Sequence, residues 1–159
     1  MNEYQQKLLG HFMNPRNVGG IEKPDGYGRT QNPINGYLTD IYVRITNGCI
    51  EDIKFKTLGC VVTIASASAL SVVVKGKTIS EIVDSKNPFE TLMESIKKEM
   101  GEVPKKNWHC LPTAVQALLT AFHDYYRKNK NEEGVKKIEK ILADGKRYFE
   151  EELKKYEEK

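Results

Sequence analysis

Leu38-Thr39-Asp40-Ile41-Tyr42-Val43-Arg44-Ile45, the pair Asn47-Gly48, and Ile50-Glu51-Asp52-Ile53-Lys54-Phe55-Lys56-Thr57-Leu58 are the residues that decide the fold of this chain. Ile41, Val43 and Ile45 recur at every second position, which turns them to one face of a strand; Ile53 and Phe55 alternate against charges in the same way. Asn47-Gly48 supplies the backbone that a tight turn needs. The segment is predicted to be a β-hairpin.

Working outward, the period changes after Gly59-Cys60. Val61-Val62-Thr63 and the small-residue run Ile64-Ala65-Ser66-Ala67-Ser68-Ala69 continue through Val74 as a helix, stopped by Gly76. Thr78-Ile79-Ser80-Glu81 opens a short helix with a capping signature, and Pro88 begins a third that runs through Met93 and Ile96. Upstream, Tyr4, Leu8, Leu9 and Phe12 have helical spacing over residues 2–12, and Asn14-Pro15 ends that pattern. From Val18 to Asn35, glycines 19, 20, 26 and 28 beside Pro24 and Pro33 predict turns and one irregular edge strand.

Trp108-His109-Cys110-Leu111-Pro112 precedes a long periodic run through Val115, Leu118, Leu119, Phe122 and Tyr126, with Pro112 suited to its first turn. Residues 131–159 carry Val135, Ile138, Leu142, Phe149 and Tyr156 as a stripe among Lys and Glu. That stripe predicts a charged amphipathic helix laid on the core, or one that binds a partner or a second copy.

Composition narrows the function classes. At 159 residues the chain suits one core domain with an appended helix, and 39% hydrophobic against 30% charged residues describes a soluble protein. No apolar run is long enough for a membrane span, and the start Met1-Asn2-Glu3-Tyr4 lacks the basic and apolar regions of a signal peptide, so a cytoplasmic address is expected. The charge of +3 arises from interleaved basic and acidic residues, a poor footprint for nucleic acid. Three widely spaced cysteines do not make a disulfide framework, which leaves free thiols or metal ligands.

Cys60 is predicted at a strand-to-helix turn, and His109-Cys110 at the start of a helix, where the positive end of the dipole favours thiolate over thiol. Sulfur and imidazole are soft and borderline ligands suited to iron or zinc; three are visible where a closed tetrahedral site needs four. Cys49, just after the hairpin turn, reads as a small strand residue, and His123 as a surface or half-buried helix residue. A nucleophile–base pair of Cys110 with His109 is disfavoured, because backbone neighbours rarely reach that geometry and no oxyanion motif accompanies them. No enzymatic activity is expected.

Several separated strings resemble one family in order and spacing: His11-Phe12-Met13-Asn14-Pro15-Arg16-Asn17-Val18-Gly19, Phe55-Lys56-Thr57-Leu58-Gly59-Cys60 with Ile64 to Ser68, Lys75-Gly76-Lys77, and His109-Cys110. Over roughly residues 4 to 130 the chain looks like the NifU/IscU-type iron–sulfur cluster assembly scaffolds. The resemblance implies an α+β fold, a small antiparallel β-sheet covered by helices, with the ligand-bearing loops converging at one end. It implies a scaffold domain over residues 1–130 and an extra C-terminal helix over 131–159. Its cargo would be iron or a transient [2Fe–2S] cluster, with sulfur arriving on Cys60 or Cys110 from a cysteine desulfurase or another donor. Apo iron–sulfur acceptor proteins would receive the cluster, and a homodimer is one assembly state it allows.

In that family a first cysteine and an aspartate lie in Pro-x-Cys-Gly-Asp, whereas this chain reads Pro33-Ile34-Asn35-Gly36-Tyr37. The binding set carried over is Cys60, His109, Cys110, Asn35 and Tyr37, the first three as metal ligands. An asparagine amide is a weak neutral ligand, and a tyrosine phenol, with a reference pKa of about 10, binds only once the metal strips its proton. Asp40 is an odd number of residues from Tyr37 on a strand and so faces the other way. Where some members carry a Leu-Pro-Pro-Val-Lys stretch read by an Hsp70-type chaperone, Val103-Pro104-Lys105-Lys106-Asn107 stands here, which removes the basis for expecting that partner. The alternative to a working scaffold is a degenerate homologue that binds zinc or regulates a desulfurase.

Overall fold

The computed structural model describes residues 2–101 and 103–157. Its sheet has three antiparallel strands in the order of the chain: β1 (Gly26–Gln31), β2 (Leu38–Thr46) and β3 (Cys49–Leu58). The hairpin is as expected, closed by Asn47 at φ 52° and Gly48 at φ 75°, the pair of left-handed residues that matches the right-handed twist of the flanking strands. Ile41 pairs with Phe55 and Val43 with Ile53, all four buried. Ile45 departs from the expected alternation, because the register shifts between Arg44 and Ile45 and leaves it half-buried.

Both edges of the sheet are covered. At the β3 edge the loop after the first helix adds a short parallel bridge, with Gly19 N–H on the Phe55 carbonyl at 2.8 Å and Phe55 N–H on the Asn17 carbonyl at 2.9 Å. β1 forms the other edge and lies directly against a helix backbone. A Cβ on Gly26 or Gly28 would strike backbone atoms of Ala117, Thr120 and Ala121, so only glycine lets the strand and helix approach this closely.

Six α-helices complete the chain: α1 (Glu3–Met13), α2 (Val61–Val74), α3 (Ile79–Val83), α4 (Pro88–Met100), α5 (Cys110–Lys128) and α6 (Glu132–Glu157). α2 is buried on nearly every side, so its alanines and serines serve packing against β3, α1, α4 and α5. Each buried serine is satisfied: Ser66 donates to the Val62 carbonyl at 2.6 Å, Ser68 bonds His11 Nδ1 at 2.7 Å, and Ser71 donates to the Ser68 carbonyl at 2.6 Å. His11, also held by Arg16 and Glu99, is thereby a structural residue of the core.

The C-terminal segment is the helix its stripe predicted, lying against α5 and α4. Ile138, Ile141, Gly145 and Phe149 are its buried positions. Gly145 leaves room for the Phe89 ring, which an added Cβ would overlap. Among the described residues no helix is long and apolar enough to cross a membrane.

Candidate metal centre

Cys60 follows β3 by two residues and is the N-cap of α2, in extended backbone geometry with φ −84° and ψ 179°. Gly59 precedes it because the side chain of Thr63 packs within 2.6–3.0 Å of where a Cβ would stand. That packing turns the Thr63 hydroxyl toward sulfur. Its Oγ1 lies 3.4 Å from Cys60 Sγ and donates to Cys110 Sγ at 3.6 Å.

His109 is the N-cap of α5 and Cys110 its first residue, with Cys110 Sγ 3.9 Å from His109 Nδ1. A turn at residues 105–107 leads in, and Thr113 Oγ1 donates back to the His109 carbonyl at 2.7 Å. Both side chains are buried, Cys110 to 2% exposure and His109 to 6%. The β1–β2 loop closes the other side: Asn32 Nδ2 sits 2.8 Å from His109 Nδ1. Three segments far apart in sequence thus meet at two helix N-termini.

The two thiols differ. At Cys60 burial pushes the pKa upward, but hydrogen bonds from the Thr63 side chain and the Thr63 and Val62 backbone outweigh it, so the net shift is below an ordinary thiol. Burial pushes the Cys110 thiol up to about 11, against the hydrogen bond from Thr63 and with the neighbouring Cys60 adding to the rise. This corrects the expectation that the helix dipole makes Cys110 a thiolate: it does begin the helix, but desolvation exceeds a dipole effect of about 1 kcal/mol. Burial likewise lowers His109, with the Lys106 backbone opposing, which favours the uncharged imidazole.

Cys60, His109 and Cys110 lie near one another in series rather than around a common point: Thr63 joins the two sulfurs, and His109 Nδ1 meets Cys110 Sγ. Among the described residues no three His, Cys, Asp or Glu side chains form a group able to hold a metal ion as they stand. The hydroxyl of Thr63 lies between the sulfurs and the amide of Asn32 occupies His109 Nδ1.

Asn35 and Tyr37 lie on the exposed tip of the β1–β2 loop, where Asn35 Oδ1 accepts the Tyr37 backbone N–H at 3.0 Å. Among the described residues no hydrogen bond joins either side chain to the thiols or the imidazole. Asp40 is paired with Arg29 at 2.7 Å and with the Tyr27 hydroxyl at 2.6 Å; Tyr37 precedes β2, so the strand alternation expected to separate the two does not apply. Cys49 donates to the Gly76 carbonyl at 3.3 Å, outside the site.

Sequence reasoning missed Thr63 and Asn32. Thr63 was legible in principle, since a hydroxyl three residues beyond an N-cap faces back toward it. Asn32 and His109 are 77 positions apart, and no local pattern links them.

A three-stranded antiparallel sheet under helices, with one thiol at one helix start and a thiol and imidazole at another, defines an α+β protein that gathers two thiols and an imidazole at one end. Residues 3–132 match the model of the NifU-like N-terminal domain. The chain is 41% identical over 154 residues to iron–sulfur cluster assembly scaffold protein IscU 1 of Archaeoglobus fulgidus, covering 97% of this chain and 91% of that protein. It is 38% identical over 138 residues to iron–sulfur cluster assembly scaffold protein IscU of Aquifex aeolicus, covering 86% of this chain and 84% of that protein. The fold is also that of a putative iron–sulfur cluster assembly scaffold protein for the SUF system from Fervidobacterium islandicum, with a TM-score of 0.56 at 17% identity over 74% of this chain and 95% of that one. The chain belongs to the NifU-like N-terminal domain family.

Proposed function

We propose that this chain is an iron–sulfur cluster assembly scaffold that holds iron or a [2Fe–2S] cluster transiently and passes it to apo acceptor proteins. The observation that carries this reading is the chain of contacts Cys60 Sγ to Thr63 Oγ1 to Cys110 Sγ to His109 Nδ1, with steps of 3.4, 3.6 and 3.9 Å. Metal–sulfur and metal–nitrogen bonds of about 2.3 and 2.0–2.1 Å at a tetrahedral angle place the two ligand atoms about 3.5 Å apart. Cys110 and His109 need a few tenths of an ångström of closure, and release of the Asn32 amide from Nδ1, to share one metal.

The difference between the thiols gives an order of events. Cys60, half-buried and the more acidic, meets iron first; Cys110 ionises when the metal displaces its proton. With asparagine at 35 and tyrosine at 37 the set contains three strong ligands, and the open position favours handing the cluster on. A cysteine desulfurase or another donor supplies the sulfur.

The test is anaerobic reconstitution with iron, sulfide and reductant, followed by absorption spectroscopy and metal analysis. Visible charge-transfer bands with equal iron and sulfide are expected. Zinc retained through purification, with no bands after reconstitution, would sink the scaffold reading in favour of a zinc-binding or desulfurase-regulating module.

A further inference from the structure

We propose that Asn32 is the positioning residue of the thiol–imidazole site, holding His109 in the tautomer whose Nδ1 carries no proton and accepts the Asn32 amide. The orientation of one amide carries the assignment. Asn32 is buried to 2% exposure, and four hydrogen bonds fix it. Its backbone N–H donates to the Tyr37 carbonyl at 2.8 Å, and its carbonyl accepts the Gly36 N–H at 2.8 Å. Its side-chain Oδ1 accepts the Ile34 N–H at 2.9 Å, and its Nδ2 lies 2.8 Å from His109 Nδ1.

The Ile34 N–H can be accepted only by the amide oxygen, so the amide cannot be turned over without orphaning a backbone donor. Nδ2, which has only protons to offer, therefore faces His109. A protonated Nδ1 would set donor against donor at 2.8 Å, so Nδ1 must be the acceptor and the ring proton must sit on Nε2. The same Nδ1 is 3.9 Å from Cys110 Sγ. Asn32 thus keeps Nδ1 free of a proton and occupies the direction from which a metal would approach its lone pair. Metal binding through Nδ1 displaces the Asn32 amide and loosens its tie to the 32–37 loop; this consequence rests on the proposed function above, whereas the tautomer does not.

The experiment is nitrogen NMR of the metal-free full chain with labelled histidines, His109 being assigned by comparison with His109→Gln. Native protein is expected to show unprotonated, hydrogen-bonded Nδ1 and protonated Nε2. Asn32→Ala removes the donor and relaxes the preference, and the near-isosteric Asn32→Asp, which keeps the bond to Ile34 but presents an acceptor, raises the Nδ1–H form about tenfold or more. A protonated Nδ1 in native protein, or a native pattern retained in both variants, overturns the proposal. The native measurement decides even if a variant fails to fold. Zinc ion is then titrated in, and the Asn32 side-chain NH2 resonance is expected to shift as it leaves Nδ1; zinc held by His109 with that resonance unmoved overturns the displacement. A chain that shows the native tautomer yet takes up no metal supports the positioning role and counts against the function proposed above.

Discussion

The ring of Tyr156, near the end of α6, stacks on Trp108 with centroids 5.3 Å apart and planes 11° from parallel. Phe149, two turns earlier, packs on the same indole at 4.8 Å, and Trp108 meets His109 edge-on at 5.8 Å. The appended helix therefore buttresses the residue immediately before the imidazole and thiol. Its final turns brace the site.

Because Trp108 is the sole tryptophan, its fluorescence reports this contact. Phe149→Ala, which empties a buried position, is expected to cost about 3 kcal/mol in urea unfolding, and Tyr156→Ala about 1 kcal/mol. Both should shift Trp108 emission to the red in the folded protein. Unchanged emission in both variants would show that α6 does not cover the indole in solution.

Thr63 offers one hydroxyl proton to two sulfurs, so the thiol that ionises first takes it. Thr63→Val removes the largest influence lowering Cys60, and the Cys60 pKa rises; its thiolate fraction at pH 7.5, and with it its alkylation rate, falls about threefold or more. Thr63→Ser restores it. In native protein Cys60 should react at lower pH than an ordinary thiol, whereas Cys110 gains reactivity only as pH climbs toward about 11. Peptide mass mapping over a pH series in a Cys49→Ser background reads the two sites separately.

Gly28 is held to glycine by the α5 backbone rather than by a turn. Gly28→Ala places a methyl group against the Ala117 carbonyl and Ala121 amide, and neither can yield as a side-chain tip would. A loss of about 2–3 kcal/mol is expected in chemical denaturation. A wild-type midpoint would mean that β1 stands further from α5.

Cys60→Ser and Cys110→Ser should each abolish stable metal or cluster binding, and Cys49→Ser should leave it nearly unchanged, since Cys49 bonds the Gly76 carbonyl outside the site. Equal loss in all three, read by metal content after reconstitution, would place Cys49 in the site.

The 35 and 37 positions can be tested by restoring the residues of the resembling family. Asn35→Cys with Tyr37→Asp exchanges a neutral amide for a thiolate and a phenol for a carboxylate, and cluster half-life during transfer to a chelator should lengthen about tenfold. A half-life no longer than that of the native chain would show that the loop tip does not approach the metal.

The hairpin, the helix starts and the stripe of α6 could be read from the sequence because each is a local matter: period two or period 3.6, left-handed turn residues, caps. Cys60, His109 and Cys110 were legible for the same reason, as thiols and an imidazole beside element boundaries. Tertiary structure alone decided their electrostatics and their company. Burial sets Cys110 against the dipole that its position promised, the strand shift at Ile45 depends on pairing with β3, and Asn32 reaches His109 only because β1 and α5 pack backbone to backbone through Gly26 and Gly28. Desolvation and long-range hydrogen bonds depend on which surfaces meet, and periodicity along a chain carries no record of that.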